Sequence, residues 1–219
     1  MSRSALAETL SRKRLLIFDL DGTLVDSSPL HARAFAETFA PLGIEVDYST
    51  IAGMTTGSAV EKLLSGAGRD SSETERRALI DAKRALGMRL IGTELEALPG
   101  AIEFVEAAGS RWPLALCTSG SRETVTCSLA RVGLAGRFAP IVAAEDVKNG
   151  KPDPEAFMTA LAHYGIPAEE ALVFEDSESG LAAAAAAGIE AVKVVPKDPA
   201  SAGGADWRAL NAALEEIAG

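Results

Sequence analysis

Four carboxylates and one lysine carry the chemistry legible in this chain. Asp19 and Asp21 follow the apolar run Leu15–Leu20, in Asp19-Leu20-Asp21-Gly22-Thr23. Thr118 and Ser119 close a second apolar run that starts at Leu114, and Glu175 and Asp176 close a third that starts at Leu172. Lys151 stands in a Gly-Lys-Pro-Asp-Pro loop. Carboxylates gathered in one crevice repel each other and raise each other's pKa. A hard divalent cation relieves that repulsion, and oxygen-only donors favour magnesium over zinc. One lysine, two hydroxyls and loop amides facing such a cation are the equipment for holding a phosphate.

The groups can meet only if the apolar runs are neighbouring strands. Open α/β sheets bind ligands at the carboxyl ends of their strands, which is where each group stands. The runs Leu15–Leu20, Leu114–Thr118, Leu172–Glu175 and Ala191–Val195, the last ahead of Pro196, are near-continuous rather than alternating. That predicts a parallel sheet covered on both faces. Ser121 is expected to cap a helix running toward Leu129–Val132 and ended by Gly133. Asp153 and Pro154 are read as a cap and first-turn pair opening Glu155–Tyr164. Ser177 opens a segment reaching Ala182–Ala187 that stops at Gly188. Strands alternating with helices predict an α/β, doubly wound domain. Between Val25 and Leu98 the pattern changes to three helical segments, beginning at Ser28-Pro29, near Ser58 and at Glu73. In the last, Leu79, Ala82, Leu86 and Leu90 recur at helical spacing. We expect a core domain over 1–25 and 98–219 and an inserted helical domain over 26–97.

Composition narrows the classes of function. The 219 residues suit one large domain or one with a modest insertion. No apolar run reaches the ~20 residues of a membrane span. Net charge is −10, which argues against a broad nucleic-acid surface. It leaves room for a small anionic substrate, because one local cation outweighs carboxylates beyond a Debye length of ~8 Å. Cys117 and Cys127 form no CxxC or CxxH arrangement, which fits a reducing compartment and supplies no metal framework. Cys117 itself reads as a small buried hydrophobe. The start, MSRSALAETLSRKR, has no apolar core before Leu15 and is not read as a secretory signal. The expectation is a cytoplasmic monomer whose partner is a small phosphorylated metabolite, not nucleic acid or membrane.

The stretch Asp19-Leu20-Asp21-Gly22-Thr23-Leu24-Val25-Asp26-Ser27 resembles the first motif of the haloacid dehalogenase superfamily, in its phosphatase branch. Thr118-Ser119, Lys151 and Glu175-Asp176 follow in the order of that family's second, third and fourth motifs. The resemblance runs from Arg14 to about Val195, and the helical insertion sits where the family's small helical cap belongs. Cys117–Ser121, Val147–Pro154 and Ala97–Ala101 are similar to segments of bacterial sugar, polyol and glycerol-3-phosphate phosphatases.

This resemblance implies a Rossmann-like core and hydrolysis of small phosphorylated sugars or polyols with Mg2+. Asp19 would attack phosphorus and carry an aspartyl-phosphate, while Asp21 would protonate the leaving alcohol and then activate water. Metal ligands would come from Asp19, the backbone carbonyl of Asp21, Asp176 and Glu175, the last directly or through water. Thr118, Ser119, Gly120 and Lys151 would hold the phosphoryl oxygens. In the cap, His31, Thr55 and Thr56 are implied as selectivity residues, with Lys83 and Arg84 also in view.

Other readings stand beside this one. They are a phosphosugar mutase like β-phosphoglucomutase, a phosphoglycolate phosphatase, a dehalogenase, and a module that binds a phosphometabolite without turning it over. The mutase lacks its usual cap arginine in Gly53-Met54-Thr55-Thr56-Gly57, and the dehalogenase would need neither Asp21 nor a metal. More simply, Asp19 and Asp21 could end a strand as turn formers, and Thr118 and Ser119 could serve as caps.

Overall fold

The computed structural model describes residues 2–195 and 204–218. They divide into two compact units, Met1–Asp26 with Glu96–Gly219, and Ser27–Leu95. Among them no helix is long and apolar enough to cross a membrane.

The first unit is built on five parallel strands: β1 Leu15–Phe18, β2 Leu114–Cys117, β3 Ile141–Val142, β4 Ala171–Glu175 and β5 Glu190–Lys193. Their order across the sheet is β3-β2-β1-β4-β5. β1 is central, pairing Leu16 with Leu114 on one side and with Leu172 on the other. The chain therefore winds outward in two directions from β1, the arrangement that opens a crevice at the strand tips. β1, β2 and β4 are buried along their whole length, so both faces are covered. Pro196, expected just past the last apolar run, lies outside the described residues.

Alternate residues feed two layers. Leu15, Ile17, Ala115, Cys117, Ala171 and Val173 form one core with Phe157 and Ala160 of α7 (Glu155–Tyr164) and Ala183 and Ala184 of α8 (Glu178–Ala186). On the opposite face Phe18 and Phe174 stack at 4.8 Å between ring centroids. Phe104 of α5 (Ala101–Gly109) meets Phe174 edge-on at 5.2 Å, and Trp207 of α9 (Trp207–Ala218) lies 5.0 Å from Phe104. The helix α1 (Arg3–Ser11) buries Leu6, Ala7 and Leu10 and packs on α9. Ser121 caps α6 (Arg122–Arg131), as its spacing predicts.

Two details differ from expectation. Helix α7 starts at Glu155 with Pro154 at the N-cap, so Asp153 stands one residue earlier and its Oδ1 accepts the Glu155 N–H at 3.0 Å. The elements α1, β3, α5 and α9 have no counterpart in the sequence reading. β3 has only two residues, too few for a pattern, while α1 and α9 flank the motif-bearing region.

The second unit holds α2 (Ser28–Phe39), α3 (Thr56–Gly66) and α4 (Glu73–Glu94). Phe35, Phe39, Ile51, Ala59, Val60 and Leu64 make its own core. Ser72 and Glu75 form a reciprocal capping box that fixes where α4 begins. The inward face of α4 is offset from the expected stripe. Ala82 is exposed, whereas Lys83, Gly87, Leu90 and Ile91 are buried. A lysine stem covers apolar surface readily when its head finds partners. The Lys83 ammonium lies 4.6 Å above the Phe35 ring and 3.3 Å from His31 Nδ1.

Phe104 is completely buried at the centre of the aromatic layer. Phe104→Ala is expected to lower unfolding free energy in urea by about 3–5 kcal/mol. A loss below about 1 kcal/mol would show that this layer does not hold α5 on the sheet.

Candidate active site

The loop after β1 folds back on itself. Leu20 O accepts the N–H groups of Leu24 at 2.9 Å and Val25 at 3.1 Å, and Gly22 N–H donates to Val25 O at 2.8 Å. Gly22 is in the left-handed region, φ +87°. A Cβ on Gly22 would lie 2.2 Å from Asp176 Oδ2, so only glycine lets this loop meet the tip of β4. Thr23 Oγ1 donates to the other Asp176 oxygen at 3.2 Å.

Lys151 holds the site together. Its Nζ lies 2.6 Å from Asp19 Oδ1 and 2.6 Å from Glu175 Oε2, with all three side chains at most 8% exposed. The Phe157 ring lies beneath the ammonium at 5.3 Å. Burial presses Lys151 toward neutrality, but Asp19 and Glu175 outweigh it and hold its pKa above the usual lysine value. Burial raises the Asp19 pKa well above the carboxylate range, with Glu175 adding to the rise and Lys151 opposing it. Asp176 is pushed up to about 6, first by burial and then by Glu175.

The loop carrying Lys151 is itself tied down. Both Glu155 carboxylate oxygens accept main-chain N–H groups, from Lys148 and Asn149, each at 3.0 Å. Glu175 is seated as firmly. Its Oε1 accepts the Ser177 N–H at 3.1 Å and hydroxyl at 2.7 Å, and Ser177 Oγ in turn accepts the Gly180 N–H at 3.0 Å, capping α8. A Cβ on Gly180 would fall 2.0 Å from Glu175 Cδ.

Asp19, Glu175 and Asp176 each bring a carboxylate oxygen within 4.8 Å of the other two. These residues fit a small, oxygen-preferring divalent cation on three grounds. The donors are all carboxylates, Gly22 leaves room for Asp176 where any side chain would fill it, and the buried Oδ1 of Asp21 has no hydrogen-bond partner. Asp21 is not one of the trio. Its Oδ2 and the Thr118 hydroxyl both lie beside Gly120, within 3.5 Å of where a Cβ would stand there. Thr118 is buried with Oγ1 accepting the Gly120 N–H at 3.0 Å, while Ser119 is exposed in the same loop.

The structure therefore gathers Asp19, Asp21, Thr118, Gly120, Lys151, Glu175 and Asp176 at the tips of β1, β2 and β4. His31, Thr55 and Thr56 belong to the second unit. His31 is partly buried beside Lys83, Thr55 is the exposed N-cap of α3, and Thr56 is its first residue. The supporting residues Gly22, Thr23, Ser177 and Gly180 were readable only as turn or cap formers. Gly22 and Thr23 meet Asp176 about 150 positions away, whereas Ser177 and Gly180 meet Glu175 within a few residues.

A family model for haloacid dehalogenase-like hydrolases matches residues 13–188, and the chain belongs to that family. Its relatives place it among the family's phosphatases. The fructose-1-phosphate phosphatase YqaB of Escherichia coli is 31% identical over 180 residues, which cover 82% of this chain and 95% of YqaB. A phosphorylated carbohydrates phosphatase of Thermotoga maritima is 34% identical over 184 residues, covering 81% of this chain and 82% of that protein. Among solved structures, CbbY of Rhodobacter sphaeroides in complex with phosphate superposes with a TM-score of 0.72 at 28% identity. That match covers 84% of this chain and 85% of CbbY.

Two outcomes follow from this geometry. Alanine normally stabilises a helix by about 1 kcal/mol relative to glycine, so Gly180→Ala would raise stability if space allowed. With Glu175 in the way we expect a net loss of unfolding free energy, measured in denaturant, and a gain would disprove the close seat. The second concerns pH without metal. A carboxyl with a raised folded pKa favours the neutral form, so its penalty sets in as pH rises above the ordinary 3.8 and is complete above about 6. Asp176→Asn removes that penalty. The melting temperature of this variant in chelator, minus that of the wild type, should grow between pH 4 and pH 6 and then level off. A flat difference would show that Asp176 is not held this way.

Proposed function

We propose that the chain hydrolyses small phosphorylated sugars or polyols with magnesium as cofactor, through a phosphoryl group carried transiently on Asp19. The observation that carries this reading is the buried Lys151 ammonium shared by Asp19 and Glu175, with Asp176 completing a trio of carboxylates. The substrate class is supported by the relatives named for fructose 1-phosphate and for phosphorylated carbohydrates. A hexitol phosphatase of Escherichia coli, 34% identical over 187 residues, supports the polyol half.

Asp19, Glu175, Asp176 and the main-chain carbonyl of Asp21 would hold the ion. When bound, magnesium supplies the positive charge that lets a carboxylate approach a phosphate dianion. Lys151 has three donors, of which two face carboxylates, leaving one to meet a phosphoryl oxygen beside the Thr118 and Ser119 hydroxyls and the Gly120 amide. Asp19, held by Lys151, is placed to attack phosphorus and displace the alcohol. Asp21, beside Gly120, donates the proton the alcohol needs and takes one from the water that frees Asp19. Such catalysis is mostly positioning and charge stabilisation of a loose transition state, which a rigid set of strand tips provides.

We assign residues 26–97 to a helical cap in which His31, Thr55 and Thr56 select the substrate. We place the activity in the cytoplasm, a reading supported by two free cysteines. Burial pushes the Cys117 thiol up to about 12, which keeps it out of the chemistry.

Hydrolysis of p-nitrophenyl phosphate is expected to require added magnesium, to stop on chelation and to fall to background in Asp19→Asn. A panel of phosphorylated metabolites compared by kcat/KM should rank sugar and polyol phosphates first. Turnover that survives chelation, or survives Asp19→Asn, would overturn the mechanism. A panel led by other phosphate esters would overturn the substrate class.

A further inference from the structure

We infer that Trp207 is a positioning residue for the metal-binding carboxylates, acting through Thr23 on Asp176. The inference rests on the reading of Asp19, Glu175 and Asp176 as a magnesium site. Trp207 opens α9, beyond the residues 13–188 that the family model matches, and touches none of the carboxylates in the hydrogen bonds described. Its indole N–H donates to Thr23 O at 2.8 Å, and this bond is buried. The hydroxyl of the same Thr23 donates to Asp176 Oδ1 at 3.2 Å.

One residue thus receives a bond from α9 at its carbonyl and passes one to Asp176 from its side chain. Thr23 is fully buried, so no solvent can replace the indole at that carbonyl. The turn leaves Thr23 little freedom to compensate, because Gly22 already sits too close to Asp176 for any side chain. A rotation of Thr23 would carry its hydroxyl away from Asp176 or drive the loop into it. α9 is anchored to the same region a second time. Asn211 Nδ2 donates to Gly100 O at 2.8 Å, and a Cβ on Gly100 would lie 3.0 Å from Trp207 Cβ. The indole is also packed in the aromatic layer, so its place is set independently of the site.

Trp207→Phe keeps a ring and removes the N–H. Magnesium binding to the resting protein, measured by titration calorimetry, should weaken about three- to tenfold, the effect of one hydrogen bond. Thr23→Val should weaken it as well, and the double variant should bind no more weakly than Thr23→Val alone. If Trp207→Phe fails to fold, benzothienylalanine at position 207 in a Trp112→Phe background keeps the indole outline without its N–H and must show the same weakening. A lowered melting temperature with unchanged magnesium affinity would overturn the inference and leave the metal site standing. Losses that multiply in the double variant would overturn the route through Thr23. A wild-type protein that binds no magnesium would sink the metal reading and this inference with it.

Discussion

One buried ammonium fixes the geometry of the site. Lys151 is shared by Asp19 at the tip of β1 and Glu175 at the tip of β4, and reaches them from the loop that leads into α7. Three chain segments far apart in sequence are thereby brought to one point. Desolvating such a group costs several kcal/mol per ion, so it adds little to net stability. Its value is positional. Two carboxylates share one lysine and Asp176 brings a third beside them, so the site offers oxygen donors that could hold a cation. Removing Lys151 would leave two buried carboxylates facing each other.

Small residues set how closely the acidic groups can approach. Gly22 lets the β1 loop pass beside Asp176, and Gly180 lets the first turn of α8 pass beside Glu175. Ser177 works in two directions, accepting from Gly180 as the α8 cap while donating to Glu175. Glu175 therefore lies at the N-terminal end of a helix as well as beside Lys151. The aromatic layer of Phe18, Phe104, Phe174 and Trp207 meets the β1 loop through the Trp207 N–H, which donates to Thr23 O.

Most of this was legible from residue types in order. Apolar runs that end in Asp, Thr-Ser or Glu-Asp already place the chemistry at strand tips, because a fully buried parallel strand has nowhere else to expose polar groups. The helical insertion was legible from its change of period. What stayed hidden depends on partners. The two-residue β3 gives no periodic signal, and the amphipathic α1 and α9 acquire meaning only when packed on each other. On α4 the expected stripe holds at Leu79 and Leu90 but shifts from Ala82 to Lys83, because a lysine counts as polar in a pattern although this one is buried with its ammonium over Phe35. Trp207 could be expected in a core, but nothing in the chain announces that its N–H would reach Thr23.

The central place of β1 also governs how the molecule can be assembled as it is made. β1 leaves the ribosome before its neighbours β2 and β4, which begin at Leu114 and Ala171. Until those residues have been translated, four consecutive apolar side chains have no sheet to join. The intervening residues 27–95 carry a separate core and can condense first, in keeping with domains folding as units during synthesis. A nascent chain of this design therefore holds an unpaired hydrophobic strand until β2 has been made, a natural target for holding chaperones.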